Sequence, residues 1–317
     1  MLTHKSYHSP WVDVFEITHF SQAIFLGDHL GGFDKFLDNP ILHHVNLHAD
    51  PGLTVYTNYK FCQDVQSKFP RLNLKWSCFG VPLTQLAKYN LHPELDFQNF
   101  VCSFNGTAHV SRQLLTSMLY QFGYFNPDYS SKNFSYPAEV ITGHLQNLLW
   151  ESSTIDYYTK FFATDEHFLR TVYSFGHQKY QYEHDQNIHV LENKLTQSFL
   201  HIVSESMATS YYPFITEKFL YSVVTRGLYL AYAPPMWHEN LMNFMGFKKY
   251  SRIFDYAFDY VKQPVQRLLD LLCMISRFSQ LSVHDWQDLY QLERDTIEFN
   301  YDHYRSGNYQ QRIECNE

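Results

Sequence analysis

The chain predicts an α/β protein in which parallel strands alternate with helices, and three observations carry that prediction. Residues 199–259 read as a strand, a loop, an acid–base pair at a helix start, a helix and a second strand. Residues 53–79 run strand, helix, strand after the turn Asp50-Pro51-Gly52. Residues 100–122 open with an apolar run and continue with helical periodicity. Composition agrees: 45% of the 317 residues are hydrophobic and 18% charged, enough to bury a sizeable core and too apolar for disorder. The length suits one large domain or two medium ones.

In chain order, a short apolar run at 23–26 leads into Leu26-Gly27-Asp28-His29, a strand end followed by Gly31 and Gly32. Residues 53–57 are β-rich, 59–68 helical, and 74–79 alternate like a strand before Gly80. The polar stretch 86–98 reads as a linker. Residues 100–104 start a second unit, and a helix over 112–122 places Leu114, Leu115, Met118 and Leu119 on one face. A polar loop covers 126–137, helices cover 144–150 and 166–175, and a charged surface loop covers 180–187. The strand at 199–203, the helix after 216 and the strand at 228–231 follow. Amphipathic helices close the chain at 261–279 and 286–304.

Residues 219–237 form the best membrane candidate. Arg226, Gly227 and two prolines make them a helix–turn–strand instead. The N-terminus MLTHKSYHSPW lacks an apolar signal region, so the expectation is a soluble, cytoplasmic protein. Cys62, Cys78, Cys102, Cys273 and Cys315 form no CxxC pair, as expected of free thiols in a reducing compartment. Two glycosylation sequons begin at Asn105 and Asn133. The net charge of −8 and the absence of a Lys/Arg run argue against sequence-driven DNA binding. The 25 Tyr and 27 Phe suit a core filled with aromatics, with sugar-stacking surfaces as the alternative.

Among chemical motifs, GxSxG, the P-loop, GxGxxG and Asp-x-Asp are absent. His43-His44-x3-His48 lacks an acid or cysteine at a known metal spacing, so no metal site is assigned. The pair Glu217-Lys218 stands out. In an open α/β sheet ligands bind at the carboxyl ends of strands, and phosphates favour helix N-termini. There a Glu accepts from ribose hydroxyls and a Lys meets a diphosphate.

Thr216-Glu217-Lys218, preceded by Ser204-Glu205-Ser206 and followed by Gly246-Phe247 and Asp255-Tyr256-Ala257-Phe258-Asp259, resembles the donor-binding half of the fucosyltransferase-like glycosyltransferases. The short versions found in phages and large viruses are the nearest in style. A second patch fits: Asn99 to Asn105, then Ser111-Arg112, resembles the family's strand–turn–helix with an arginine for the diphosphate. The resemblance covers about residues 97–290. The chain departs from the pattern at Leu228, where a Pro is usual, at Ser206, often Asn, and at Phe214, often Tyr.

The resemblance implies a GT-B fold, two Rossmann-like halves facing a cleft. The acceptor half, 1–96, is trimmed; the nucleotide-sugar half is 97–280, and 281–317 is a helical segment that packs across the cleft. It implies transfer of a sugar from a UDP- or GDP-sugar to an acceptor hydroxyl, inverting and metal-independent. Arg112, Glu205, Ser206, Phe214, Thr216, Glu217 and Lys218 would bind the donor. The base would come from the first half, with Asp28, His44 and Asp50 as candidates alongside Asp34, His43 and His48. A glycan, a protein, a lipid or a modified nucleic-acid base are all open as acceptor. Two other readings stay open: a non-catalytic nucleotide- or glycan-binding protein, and a His-rich metal-dependent hydrolase.

Overall fold

A computed structural model describes residues 5–6, 24–26, 40–57, 62–76, 79–80, 84–148, 152–162, 165–175, 184–205 and 214–309. It shows a mixed α/β architecture with small parallel sheets. In the first unit, β1 (Lys5–Ser6), β2 (Ile24–Leu26), β3 (Leu53–Thr57) and β4 (Leu72–Trp76) pair in sequence order, all parallel. Helix α1 (Pro40–His48) lies in the β2–β3 crossover, and a 3-10 turn, Cys62–Lys68, lies in the β3–β4 crossover. That 3-10 turn covers 62–68 of the stretch 59–68 expected to be helical, whose first three residues lie outside the described residues. Gly52, at φ 83, supplies the left-handed residue of the turn before β3.

The second unit holds β6 (Asn99–Cys102), β9 (Ser198–Ser204) and β11 (Leu228–Tyr232), with β9 central and all pairs parallel. β9 and β11 are buried at every position, as expected for strands covered on both faces. After the single residue Ser103, the β6 line continues as β7 (Phe104–Asn105), which pairs in parallel with β8 (Ser131–Lys132). Since β6 is already paired to β9, β8 adds to the other edge. The order across the unit is therefore β8, β6–β7, β9, β11. β8 falls in the stretch read from sequence as a loop. Two polar residues carry no strand period, and Lys132 is fully buried there. Its Nζ donates to the Phe134 and Leu169 carbonyls at 2.8 and 3.0 Å, over the rings of Phe134, Tyr136 and Phe168. Burial pushes this lysine down to about 8.

The helices of this unit are α2 (Val110–Gln121), α3 (Ala138–Leu148), α4 (Ser152–Phe162), α5 (Glu166–Arg170), α6 (His184–Thr196), α7 (Glu217–Val224), α8 (Trp237–Asn240), α9 (Pro264–Ser276), α10 (Val283–Leu292) and α11 (Arg294–Arg305). α6 begins inside the expected surface loop and buries Ile188, Leu191 and Leu195. The single helix expected over 286–304 is two, broken at Glu293. Much of the aromatic excess enters the core. Trp286 of α10 stacks on Phe199 and Phe100 with centroids 5.6 Å from each, and Phe97 packs edge-on against Phe199. Asn105 is fully buried, so the folded chain does not present the first sequon.

The stretch read as a linker is docked. Leu86 and Phe97 are buried. Asn90 and Leu91 are held by Arg226, whose Nη2 and Nη1 donate to Asn90 Oδ1 and the Leu91 carbonyl at 2.9 and 2.8 Å. Arg226 also pairs with Glu298 at 2.8 Å, and its guanidinium lies 3.7 Å from the Tyr301 ring centroid. This arginine is left-handed, φ 51. It ends α7 in a Schellman motif: Arg226 N–H donates to Val223 O and Gly227 N–H to Ser222 O. Glycine usually takes the left-handed position. Here the glycine is one residue later, where the His201 ring leaves room for nothing else. A Cβ on Gly227 would stand 2.0 Å from His201 Cε1. His201 cannot easily yield, because it is buried in β9 and bonded at 2.8 Å to Leu195 O.

Gly227→Ala should therefore destabilise the fold by about 1–3 kcal/mol, the usual range for overpacking. In urea unfolding, the double variant His201→Ala/Gly227→Ala should lose less than the sum of the two single variants.

Candidate functional site

The carboxyl edge of the second sheet gathers the charged groups. After β7 the chain proceeds to β8 on one side, and after β9 to β11 on the other. Such a reversal opens a crevice at the strand ends, the usual ligand position in open α/β sheets. Asn105 ends β7, Ser204 ends β9, and Glu205 follows it. α2 and α7 start from this edge.

Glu205 links three elements. Its N–H donates to Tyr232 O at the end of β11 (3.1 Å), and its carbonyl accepts from Ser111 Oγ in the first turn of α2 (3.1 Å). Its Oε1 accepts from the Thr216 N–H at 3.1 Å. The side chain is fully buried, and Oε2 has no hydrogen-bond partner among the described residues. Asn105 Oδ1 and Ser204 Oγ are likewise buried and unpartnered. Buried polar atoms ordinarily have a partner, and a polar ligand or ordered water at this edge would complete the bonding of all three.

β10 (Phe214–Ile215) pairs in parallel with β5 (Phe79–Gly80), which brings the end of the first unit beside the entrance to α7. Thr216 is the N-cap of α7, with extended backbone and a side chain that accepts from Lys218 N–H at 3.4 Å. Glu217 is the acid of the first turn, where the helix dipole favours it. Lys218 Nζ pairs with Glu217 Oε1 at 2.5 Å; their side chains keep 11% and 26% exposure. Arg112, in the first turn of α2, is buried and couples electrostatically to Glu217 and Glu205.

Burial lowers the Arg112 and Lys218 pKa values, with Glu217 and Glu205 pulling both back up. Glu217 is held at about 2: burial opposes ionisation, but Lys218 and Arg112 outweigh it. Glu205 moves the other way. Burial pushes it up to about 7 against the Thr216 amide and the two cations. With Glu205 protonated the cluster holds two cations and one carboxylate, net +1; with Glu205 ionised it is neutral. At neutral pH the edge is thus poised to favour an anion.

Of the residues expected from sequence to bind the donor, the structure brings together Arg112, Glu205, Thr216, Glu217 and Lys218. Phe214 lies in β10, directly before them. Ser206 falls outside the described residues, as do Asp28 and Asp34. His44 lies on α1 with its ring 4.4 Å from that of His48, and His43 packs 5.1 Å from Phe69. Asp50 is exposed in the turn before β3, its carbonyl accepting from Leu53 N–H. Among the described residues neither His44 nor Asp50 is hydrogen-bonded to the cluster, and no group of three or more His, Cys, Asp and Glu could hold a metal.

Reading the sequence overlooked Asn105 and Ser204 as site residues. The available signal was a polar residue closing each apolar strand run. A buried His238–Asp259 pair has another role. His238 Nδ1 donates to Asp259 Oδ1 at 2.9 Å, and Nε2 accepts from Ala231 N–H at 3.0 Å. Asp259 Oδ2 takes the N–H groups of His238 and Glu239. Both ring nitrogens are committed, so the pair fastens α8 to β11. No protein-family model, curated protein or solved structure matches the chain.

Linkage follows from Glu205. Its folded pKa lies above the unfolded 4.5, so its contribution to stability is present below about 4.5 and is lost as pH rises through about 7. The full shift is worth on the order of 3 kcal/mol. His201, lowered to about 4 by burial, runs oppositely, losing stability as pH falls from 6.5. Both chains of a Glu205→Gln comparison share that effect. Urea unfolding at about pH 4.5 and pH 8 should show wild type losing up to about 3 kcal/mol relative to Glu205→Gln.

Proposed function

We propose that the protein is a glycosyltransferase of the two-Rossmann-halves (GT-B) class, moving a sugar from a UDP- or GDP-sugar to an acceptor hydroxyl with inversion. One observation carries the reading: two cations from different helices, Arg112 and Lys218, meet at the carboxyl edge of a parallel sheet around a buried carboxyl with an unpartnered oxygen.

In this reading Lys218 and Arg112 stabilise the charge that grows on the diphosphate as its bond to the anomeric carbon breaks. The α7 N-terminus adds its dipole. Glu217 keeps part of its side chain exposed and would accept from ribose hydroxyls. A base from the first unit, with Asp28, His44 and Asp50 as candidates, takes the acceptor proton as its oxygen bonds to the sugar. The diphosphate leaves with the electron pair. The β5–β10 pairing supports the idea that the first unit contributes to the reaction, since it runs into the Thr216-Glu217-Lys218 turn.

Calorimetry with UDP and GDP tests the donor site. Lys218→Ala should weaken the preferred diphosphate by about 1.5–3 kcal/mol, the range for hydrogen bonds to charged groups. Unchanged affinity would remove Lys218 from the site. Turnover of the matching nucleotide sugar should survive EDTA, because the proposal gives the diphosphate charge to Arg112 and Lys218. Loss of turnover restored by manganese or magnesium would reassign that task to a metal.

A further inference from the structure

Glu205 is an unusual group to find in a site that receives an anion. Its carboxyl has one oxygen on the Thr216 amide and the other, Oε2, buried with no partner. Of the nearby donors, Lys218 Nζ is bonded to Glu217 Oε1, and Ser111 Oγ to the Glu205 carbonyl. Among the described residues, the charged groups acting on it are Arg112 from α2 and Glu217 and Lys218 from α7. β11 contributes only a backbone carbonyl, that of Tyr232. A phosphate entering between Arg112 and Lys218 would bring negative charge to an ionised, buried Glu205, and like charges in one site force a proton onto one of them. A protonated carboxyl, by contrast, turns Oε2 from an acceptor into a donor.

We infer, resting on the nucleoside-diphosphate reading of this site, that Glu205 is its proton carrier: it is protonated in the bound state, with Oε2–H donating to a phosphate oxygen, so that each diphosphate bound takes up a proton. The raised affinity of buried Glu205 for a proton fits this role. No bond other than O–H changes. The proton comes from solvent on binding and returns to it on release. Diphosphate affinity is thereby tied to pH.

The test is calorimetric titration of the full chain with UDP and GDP at about pH 8, in buffers of different ionisation enthalpy. The terminal phosphate, which ionises near ~6, is then already charged. Wild type should take up between about 0.5 and 1 proton per ligand, and above about pH 8 its affinity should fall towards tenfold per pH unit. Glu205→Gln should bind with uptake near zero and a flat pH profile. Lys218→Arg, which cannot lose its proton, should keep the uptake and decides the matter if Glu205→Gln does not fold. Binding by wild type without uptake would overturn the inference and leave the diphosphate site standing, with Oε2 accepting from a ligand hydroxyl. Uptake that persists in Glu205→Gln, or vanishes in Lys218→Arg, would overturn it too. Failure of wild type to bind either nucleotide would overturn both this inference and the reading beneath it.

Discussion

A carboxyl group taken out of water at the end of a central strand must be hydrogen-bonded, neutralised or both. Glu205 meets that demand with one oxygen only, and the surrounding architecture follows from it. The oxygen on the Thr216 amide sets where α7 begins. The backbone of the same residue sets where α2 and β11 meet β9. Moving Glu205 would unfasten the starts of two helices together. Its site is therefore rigid in its frame, though one of its charges is free to change. That combination suits preorganised binding of an anion, where donors must be in place before the charge arrives.

The ion pair Glu217–Lys218 plays a complementary part. An isolated buried lysine beside Arg112 would suffer from both burial and repulsion. Glu217 offsets both, yet stays partly open to solvent. The helix start thus presents a cation stabilised by a partner that is itself partly open to solvent. His238 and Asp259 show the opposite arrangement, in which every polar atom is matched and the pair serves only to hold α8 against β11.

Much of this was legible in the sequence, for particular reasons. β3, β9 and β11 are continuous apolar or β-branched runs bounded by turn residues, and α7 announces itself by Thr216 as a cap and Glu217 in the first turn. The convergence of Arg112 with Lys218 followed from the resemblance and not from spacing, since more than a hundred residues separate them. What stayed hidden was decided by tertiary contacts. β8 is a strand because β7 offers it an edge, not because Ser131 and Lys132 favour extension. α6 does carry apolar residues at Ile188, Leu191 and Leu195, but its polar first turn masked the period. The left-handed arginine at 226 is invisible beside a glycine, the usual helix terminator. Only the His201 ring explains why glycine is spent at 227 instead.

Arg226 also has a bearing on how the chain is made. Its left-handed backbone is unfavourable for a residue with a Cβ and is held by groups that come much later in the sequence. Tyr290 donates to its carbonyl, Glu298 pairs with its guanidinium, and Tyr301 supplies the ring beneath it. A polypeptide leaving the ribosome gains those groups only after α10 and α11 have been made. The turn between α7 and β11 would then stay unlocked while most of the second sheet is already outside the exit tunnel. The edge of β9 that should receive β11 is exposed for that interval, so the nascent chain would be most in need of chaperone cover between the emergence of β9 and that of α11.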